Sequence, residues 1–519
     1  MANWASGYVA DIEYLPGLYV EQTPAHLTLA CLLNGIEPPD IGGAFTYCEL
    51  GCGQGVTASI IAAANPKAHV VAADFNPAHI ARARQVAREA HLTNIEFLEL
   101  SFEEMLEKHD LPDFDMVTMH GVWSWIGAAE RAQITEFLKQ KVTPGGLVSI
   151  TYNAMPGWAV MLPIQRLLYE HAGLGHDRSD EAIMKGLDWI EELQKCGSGV
   201  LGNAELIDQI RNGTSSKAAG SHRAVYLAHE YINGGWQPQY HMDTAKQLAP
   251  AKLNYVGASG LLDAFPDLSF RPEQKQALEQ VPRGPLRETL KDYLVNRPFR
   301  RDVYVRGARQ LSDRMRDAKL QQLALALTVP PDETRLSLDV PAGKAELPKH
   351  HYEPIFDALA QRPHTLKELA SLPALAGLAG APSLVEIAGI LVGSGQAQIA
   401  PWGMGAGSNA GAAALNRAAT REVAEQRSSF ASIAAPLTGS GLTLQTMEAL
   451  VFDAIATGTP RAPDAVISKV ADRVRSGGVP LQKDGKAIDA PDAQLAVVAE
   501  SVEWCFTRRL PLWDQLHVF

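Results

Sequence analysis

Apolar positions in the first third of the chain follow two different spacings. Short apolar runs of the kind that form buried strands cover Phe45–Leu50 and residues 69–73 and 95–100. Between these runs, apolar residues recur at helical spacing over Val56–Ala64 and residues 77–90. Strands that alternate with helices at this pace predict a parallel, doubly wound sheet.

The alternation extends this sheet to seven strands. Residues 112–120 and 147–152 predict strands four and five, with a helix over residues 128–140 between them. Residues 253–259 and 302–306 have the pattern expected of strands six and seven. The predicted fold class is therefore α/β, with a Rossmann-like doubly wound sheet of seven strands.

The rest of the chain lacks this alternation. Amphipathic helical patterns over residues 161–171 and 181–195 must bury an apolar face, which predicts a helical insertion. Prolines and polar residues, densest over 330–348, predict a linker, and the Gly/Ala-rich residues 402–414 predict a loop or second linker. Downstream of these, the C-terminal half is predicted to be mostly α. The predicted units are a core of 1–158 and 235–310, a helical insertion of 159–234, a linker region of 311–348, a winged-helix-like module of 349–401 and a C-terminal helical domain of 415–519.

The composition narrows the classes of partner. The chain has 519 residues, 46% of them hydrophobic and 20% charged, which is typical of a globular protein with several domains. Its formal net charge of −12 argues against nucleic-acid binding, which needs a basic footprint. The would-be recognition helix of the winged-helix-like module, residues 383–392, contains no Lys or Arg for phosphate contacts. We therefore expect no nucleic-acid partner.

Cysteines and hydropathy indicate a cytoplasmic protein. The five cysteines are odd in number and match no zinc or redox motif. The N-terminal residues lack the basic and apolar regions of a signal peptide, and no apolar stretch reaches the length of a membrane span. His229-Glu230 would begin a metalloprotease helix only with a second His at position 233, which is Asn233. We expect no membrane span and no metal.

A glycine turn follows the first predicted strand. Gly51, Gly53 and Gly55 lie at the carboxyl edge of the sheet, where doubly wound folds bind their ligands. Glycine adopts positive φ and lets a ligand approach the backbone closely. Asp74 ends the second strand, where its carboxylate can accept hydrogen bonds from both hydroxyls of a ribose. These features fit a dinucleotide or an adenosyl ligand.

The spacing of the glycines separates these two ligands. The dinucleotide fingerprint G-x-G-x-x-G requires glycine at position 56, which is Val56. Glu49, two residues before Gly51, is unfavourable beside a pyrophosphate but suits the ammonium group of a methionine moiety. The glycine loop, with Glu49 and Asp74 in register, therefore predicts S-adenosyl-L-methionine as the cofactor.

The segments ELGCGQG and ADFNP resemble the first two motifs of class I S-adenosylmethionine-dependent methyltransferases. This resemblance implies that Glu49 contacts the methionine part of the cofactor through the loop. It also implies that Asp74 holds the ribose and that Phe75 flanks the adenine. The family often carries an Asp after the third strand, and here Ser101 and Phe102 occupy that place as the expected adenine contacts.

Aromatic residues follow the fourth and fifth predicted strands. The segment HGVWSWI brings Trp123 and Trp125, and the fifth strand ends in Tyr152 with Trp158 shortly after it. Aromatic faces attract sulfonium and ammonium cations. We expect these four residues to form a wall around the methyl acceptor.

A narrower resemblance covers residues 8–310. The segments DIEYLPGLYVEQTP, HGVWSWI, TYNAMPGW, YLAHEYINGGWQP and AKLNYVGAS are similar to bacterial methyltransferases that carry a methyltransferase regulatory domain. The best-described members methylate lysines of bacterial surface proteins, which implies a protein lysine as acceptor. Related enzymes dimerise through such an insertion, which implies a homodimer through residues 159–233.

The chemistry of the acceptor leaves three alternatives. For lysine, Tyr14, Tyr152 and Asn153 are the candidates to orient the amine, and no strong base is obligatory because an apolar pocket beside a sulfonium lowers the pKa of the amine. For an oxygen of a sugar or small metabolite, a general base is required, and the candidate is His120. In the lysine case His120 is a neighbour of the adenine in the cofactor site. The third alternative is a cofactor-binding regulatory protein without turnover.

Overall fold

The central sheet contains seven strands. The computed structural model describes residues 7–199, 201, 204–212, 221–401, 410–477, 482–483, 486–488 and 490–519. In this part of the chain the sheet has the order β3-β2-β1-β4-β5-β7-β6. The first five strands are parallel, and β7 runs antiparallel to β5 and β6. The fold class predicted from the sequence is confirmed. The strands are β1 (Phe45–Leu50), β2 (Ala68–Asp74), β3 (Ile95–Glu99), β4 (Phe114–Met119), β5 (Val142–Asn153), β6 (Leu253–Ala258) and β7 (Phe299–Arg306).

Helices cover both faces of this sheet. Asn76 caps the helix after β2, where its side chain accepts a hydrogen bond from the backbone of Ala78, and Pro77 fills the first helical position. The helices of the core are α1 (Pro24–Leu33), α2 (Val56–Ala64), α3 (Pro77–Glu89), α4 (Phe102–Glu107) and α5 (Ala128–Lys141).

Side chains of the strands alternate between two apolar layers. On β1, Tyr47 packs in the layer that contains α1, α2 and α3, whereas Cys48 and Leu50 pack in the layer that contains α5. Because both faces are covered, the strands have nearly continuous apolar sequences. The first layer continues without a break into the C-terminal half, from Ala25 to Val518.

The insertion forms its own apolar core. Ile164 and Leu168 of α6 pack with Ile183 and Leu187 of α7 and with Leu227 of α9. The apolar faces of the predicted amphipathic helices are thus covered within the insertion itself. The helices of the insertion are α6 (Leu162–Ala172), α7 (Ser179–Lys195), α8 (Ala204–Asn212) and α9 (Ser221–Tyr231), and those that follow are α10 (His241–Leu248), α11 (Pro266–Ser269), α12 (Pro272–Glu279) and α13 (Pro285–Val295).

Residues 311–348, predicted to be a linker, are folded. Their strand β8 is the central strand of a three-stranded antiparallel sheet with the order β11-β8-β12, so the winged-helix-like module begins before residue 349. The proline-rich residues form a hairpin of β9 and β10. The elements are α14 (Asp313–Leu320), β8 (Ala324–Leu327), β9 (Ser337–Val340), β10 (Gly343–Glu346), α15 (Lys349–Gln361), β11 (His364–Thr365), α16 (Leu366–Ala370), α17 (Leu384–Gly393) and β12 (Ala397–Ala400).

Helix α17, which would be the recognition helix of a DNA-binding winged helix, packs against the core. A Cβ added at Gly389 would come within 2.6 Å of the Phe265 ring and 3.2 Å of Leu33. Residues 387–392 are all buried. Residues 387–392 of this helix are therefore not accessible to a DNA groove.

The last domain contains a β-hairpin besides its helices. Strands β13 and β14 pair antiparallel and pack on α2, where the Asn65 side chain donates a 2.9 Å hydrogen bond to the Gly439 carbonyl.

Of the predicted loop over 402–414, residues 402–409 lie outside the described residues and 410–414 are helical. No helix among the described residues is both long and apolar enough to cross a bilayer. The elements are α18 (Ala410–Ala424), β13 (Phe430–Ala435), β14 (Ser440–Gln445), α19 (Thr446–Ala456), α20 (Pro463–Gly477), β15 (Gln482–Lys483), β16 (Lys486–Ala487), α21 (Pro491–Trp504) and α22 (Leu510–Gln515).

Candidate functional site

A cleft of about 430 Å³ lies at the carboxyl edge of β1, β2 and β4. Clefts that bind small molecules measure roughly 300–1,000 Å³. The glycine loop forms its floor, the loop after β4 forms one wall, and the N-terminal segment 8–19 covers it. The glycine loop and the loop after β4 were expected at the ligand site from the sequence, and of the N-terminal segment only Tyr14 was.

The three glycines of the loop have positive φ, of 70° at Gly51, 53° at Gly53 and 71° at Gly55. A Cβ at Gly51 would come within 2.5 Å of Val122, and one at Gly55 within 2.4 Å of the Phe97 ring. No heavy atom lies within 4 Å of a Cβ at Gly53. Gly51 and Gly53 line the cleft, whereas Gly55 allows close packing behind it.

Asp74 connects the loop to the end of β2. Its Oδ2 accepts a 2.9 Å hydrogen bond from the backbone N–H of Gly53, and its Oδ1 accepts one of 2.9 Å from Asn76. The ring of His79 lies 3.4 Å from Oδ1. The carboxylate therefore fixes the loop and at the same time lines the cleft, where the predicted ribose would lie.

Glu49 is a buried carboxyl group at the end of β1. Among the described residues, its Oε2 is buried and makes no hydrogen bond. Burial, together with the nearby charge of Asp74, raises the pKa of Glu49 to about 8. A backbone hydrogen bond from Ala58 acts to lower this pKa, but Oε2 remains unsatisfied, which is unfavourable for a buried carboxylate. The predicted cofactor carries an ammonium group that would supply the missing positive charge, so the residues present fit it.

The adenine contacts predicted from the sequence all line the cleft. Phe75 makes an edge-on contact with Tyr8, with ring centroids 5.7 Å apart. Ser101 caps α4: its Oγ accepts a hydrogen bond from Glu104 N–H, and its own N–H donates to the Glu104 carboxylate. The capping box occupies the Ser101 N–H and one acceptor position of its Oγ, so the O–H and one lone pair of the hydroxyl remain for adenine, and Phe102 offers an apolar surface.

His120 lies at the end of β4 and also lines the cleft. Its ring stacks on Tyr19 with centroids 3.6 Å apart, and Phe299 lies 6.0 Å away. The stacking attaches the N-terminal segment to the loop after β4. In this arrangement His120 serves as part of the wall between the cleft and the sheet.

The predicted aromatic wall is only partly present. Trp125 and Tyr14 line the cleft. Trp123 is fully buried in the apolar layer beside α5. Tyr152 is also fully buried and donates a 2.6 Å hydrogen bond to Asp302. Tyr152 was misplaced because side chains alternate along a strand, and on β5 it enters the layer below together with Val148 and Ile150. Trp123 lies in the turn after β4, which directs its ring into the same layer.

Asn153 and Trp158 lie beyond the cleft, at the junction with the insertion. The Asn153 side chain donates a 2.6 Å hydrogen bond to Glu230 of α9. Trp158 packs edge-on against Trp236, with centroids 5.4 Å apart. Neither lines the cleft, but both reach the elements that cover it.

Sequence reasoning missed most of the N-terminal segment. Tyr8, Tyr19 and residues 15–17 line the cleft alongside Tyr14. Two hydrogen bonds join this segment to the residues that follow α9. Val9 N–H donates to the Asn233 side-chain Oδ1 at 2.8 Å, and Gly234 N–H donates to the Gly7 carbonyl at 2.9 Å. The aromatic and Pro-Gly string EYLPGLY was the signal for a ligand-covering segment.

The charges around the cleft have one sign. Its carboxyl groups are Glu49, Asp74, Glu103 and Glu130. None of the lining residues in the described part of the chain is Lys or Arg. Such a cleft favours cations and disfavours phosphates. No group of three or more metal-ligating side chains occurs among the described residues.

Two family models match the chain. A methyltransferase domain matches residues 42–186, and a predicted methyltransferase regulatory domain matches residues 223–306. An uncharacterised protein of Synechocystis sp. is 32% identical over 99% of this chain and 100% of its own length. An uncharacterised protein of Rickettsia prowazekii is 26% identical over 43% of this chain and 86% of its own.

The fold is similar to a solved structure over almost its whole length. PKMT2 from Rickettsia typhi, in complex with AdoHcy, covers 97% of this chain and 99% of its own, with a TM-score of 0.68 and 17% sequence identity. A second structure of the same protein gives a TM-score of 0.65. The similarity includes the C-terminal half as well as the sheet.

Proposed function

The chain belongs to the class I S-adenosylmethionine-dependent methyltransferases that carry a methyltransferase regulatory domain, and we propose that it methylates lysine side chains of a protein. The observation that carries this proposal is the charge of the cleft, with four carboxyl groups and neither Lys nor Arg among its described lining residues. Such a cleft attracts a cationic acceptor. The sequence resemblance to methyltransferases of surface-protein lysines supports the same acceptor, and PKMT2 of Rickettsia typhi, in complex with AdoHcy, has a similar fold.

The residues of the cleft divide the binding of cofactor and acceptor. When bound, the cofactor supplies a methyl group on a positively charged sulfur. Glu49 would face its ammonium group and Asp74 its ribose, while Phe75 and Phe102 would enclose the adenine. Trp125 and Tyr14 lie on the remaining side, where their aromatic faces exclude water from the acceptor.

A lysine acceptor must lose a proton before it reacts. Apolar surroundings and a neighbouring positive sulfur both lower the pKa of the amine, so they act in the same direction. The covering segment with Tyr8, Tyr14 and Tyr19 supplies such surroundings. Holding the amine in line with the methyl group then supplies most of the acceleration.

The decisive experiment asks where the methyl group goes. The enzyme is incubated with cofactor carrying a labelled methyl group and with host lysate, and the label is then traced to protein or to small molecules. We expect label in protein that hydrolyses to methylated lysine, with the Asp74→Ala variant as a control without transfer. Label confined to a sugar or small metabolite would replace the proposal by O-methylation. An enzyme that binds cofactor but transfers no label would be a regulatory protein.

We also propose that the enzyme is a cytoplasmic homodimer. The five cysteines are unpaired, which fits a reducing compartment. The insertion exposes two large apolar side chains outside its own core, Val160 at 63% and Leu174 at 83%. Light scattering at micromolar concentration should give the mass of two chains, and Leu174→Glu should give one. A wild-type mass of one chain rejects the dimer.

A further inference from the structure

Glu230, on α9, is a buried carboxyl group beside the cofactor cleft. Glu230 as a whole is only 7% exposed to solvent. Its Oε1 accepts a 2.6 Å hydrogen bond from Asn153 Nδ2 and one of 3.5 Å from Trp236 Nε1. Within the described part of the chain, Oε2 accepts no hydrogen bond, and Glu230 has no ion-pair partner. Leaving a buried carboxylate without a cation is costly, so its retention requires a reason.

The position of Glu230 connects it with the cleft. Gly234 and Gly235, in the turn after α9, line the cleft, and the backbone of Gly235 packs against Trp125. Tyr8 and Tyr14 line the cleft from the other side, and the charge of Glu230 contributes to the raised pKa of both hydroxyls, after burial. The carboxyl group of Glu230 therefore lies behind the part of the cleft that Tyr8, Tyr14 and the turn after α9 form, without itself being a lining residue.

Aromatic side chains surround this carboxyl group. Trp236 donates to it, Trp158 packs on Trp236 and on Tyr231 with centroid distances of 5.4 and 6.0 Å, and Tyr14 contacts His229 at 5.0 Å. A carboxylate enclosed by aromatic faces is the environment that binds an ammonium ion, methylated or not. Burial raises the pKa of Glu230 to about 7, while the hydrogen bonds from Asn153 and Trp236 act to lower it.

We propose that Glu230 is the residue that receives the acceptor amine, with Oε2 accepting a hydrogen bond from the ε-ammonium group of the incoming lysine. This inference rests on the proposed function. One proton passes from the ammonium nitrogen to Oε2 and leaves a neutral amine. Its lone pair forms the N–C bond while the C–S bond breaks and leaves its electron pair on sulfur. The product is a methylated ammonium that the surrounding aromatic faces accommodate.

Asn153 and Trp236 are positioning residues in this scheme. Both donate to Oε1, so Oε2 is left for the substrate. Asn153 was expected to orient the acceptor directly, and here it acts through Glu230. The adjacent pair His229-Glu230 was considered from the sequence only as part of a metal motif.

The test uses butylammonium, which has the end of a lysine side chain, and the full-length enzyme saturated with S-adenosylhomocysteine. Calorimetry measures the dissociation constant of butylammonium for wild type, for Glu230→Gln and for Glu192→Gln, which removes an exposed carboxylate from the same insertion. In Glu230→Gln the side-chain amide oxygen can still accept the hydrogen bonds from Asn153 and Trp236. Because a hydrogen bond to a charged group is lost, we expect weaker binding by roughly tenfold or more in Glu230→Gln alone. The affinity for S-adenosylhomocysteine should stay within about twofold, since Glu230 lies outside the cofactor half of the cleft.

Two results would overturn the inference: no binding of butylammonium to the wild-type complex, or equal binding to Glu230→Gln. Should Glu230→Gln not fold, saturation-transfer NMR on the wild type serves instead. It must show butylammonium protons in contact with the indole rings of Trp158 or Trp236, and their absence rejects the site. The lysine proposal fails separately, when butylammonium binds as expected but methyl label enters only small molecules.

Discussion

On the cofactor side of the cleft, one continuous stretch of chain from Glu49 to Asp74 supplies the glycine loop and the two carboxyl groups that we propose to face the ammonium group and the ribose. On the acceptor side, side chains come from the N-terminal segment, the loop after β4, the end of β5 and the insertion. The first side is held by the backbone of a strand–turn–helix unit. The second depends on contacts between the insertion, the end of β5 and the N-terminal segment. The two sides should therefore respond differently to substitution.

The largest difference should appear between two tryptophans that are two residues apart. Trp123 is fully buried, so Trp123→Ala should lower the free energy of unfolding by about 3–5 kcal/mol through the cavity it leaves. Trp125 lines the cleft, so Trp125→Ala should slow methyl transfer and change stability much less. Denaturant unfolding and a turnover assay on both variants check this. Equal free energies of unfolding for the two variants would contradict the burial of Trp123 and would place both tryptophans on the acceptor side of the cleft.

Asp74→Ala should weaken cofactor binding and leave the acceptor side of the cleft unchanged. Two charge-assisted hydrogen bonds to the ribose would be lost, and the affinity for S-adenosylmethionine should fall by about 2 kcal/mol or more. Asp113→Ala, an exposed carboxylate before β4, is the matched control. Calorimetry with S-adenosylmethionine and with NAD measures both variants and the wild type. An unchanged dissociation constant for Asp74→Ala would contradict this role.

The pH dependence of cofactor binding should report on Glu49. Its pKa of about 8 means that the empty site holds a protonated carboxyl at pH 6, whereas the ammonium group of the cofactor favours the ionised form. Binding must therefore release a proton, and the dissociation constant should fall as pH rises from 6 to 7.5, by at most about tenfold per pH unit. Glu49→Gln should flatten this slope. A wild-type affinity independent of pH would show that Glu49 does not face the ammonium group.

The smallest effect should belong to His120. Its stacking on Tyr19 makes it part of the wall, so His120→Ala should reduce turnover on a lysine acceptor only a few-fold. Activity of wild type and variant should rise together with pH as more lysine becomes neutral. For an O-methyltransferase, His120→Ala would instead abolish turnover. Rates from pH 6 to 10 distinguish the two chemistries.

The comparison also explains what the sequence could predict. Gly51, Gly53 and Asp74 act through local backbone geometry, which a spacing of a few residues determines, so their place was predictable. Glu230 meets Asn153 across a sequence distance that no local pattern encodes. The burial of Trp123 and Tyr152 depends on which face of the sheet each enters, and an aromatic residue suits either face. Strand β8 was assigned to a linker because four apolar residues beside prolines give too short a pattern.

The apolar layer that runs from Ala25 to Val518 has a consequence for cooperativity. A chain of this length would usually unfold in separate steps, one for each domain. Here α1 and α2 share their buried faces with α17 and with the β13–β14 hairpin, so the catalytic sheet has no complete core without the C-terminal half. Heating should thus melt both halves in one transition, and a fragment ending at residue 310 should expose apolar surface and aggregate.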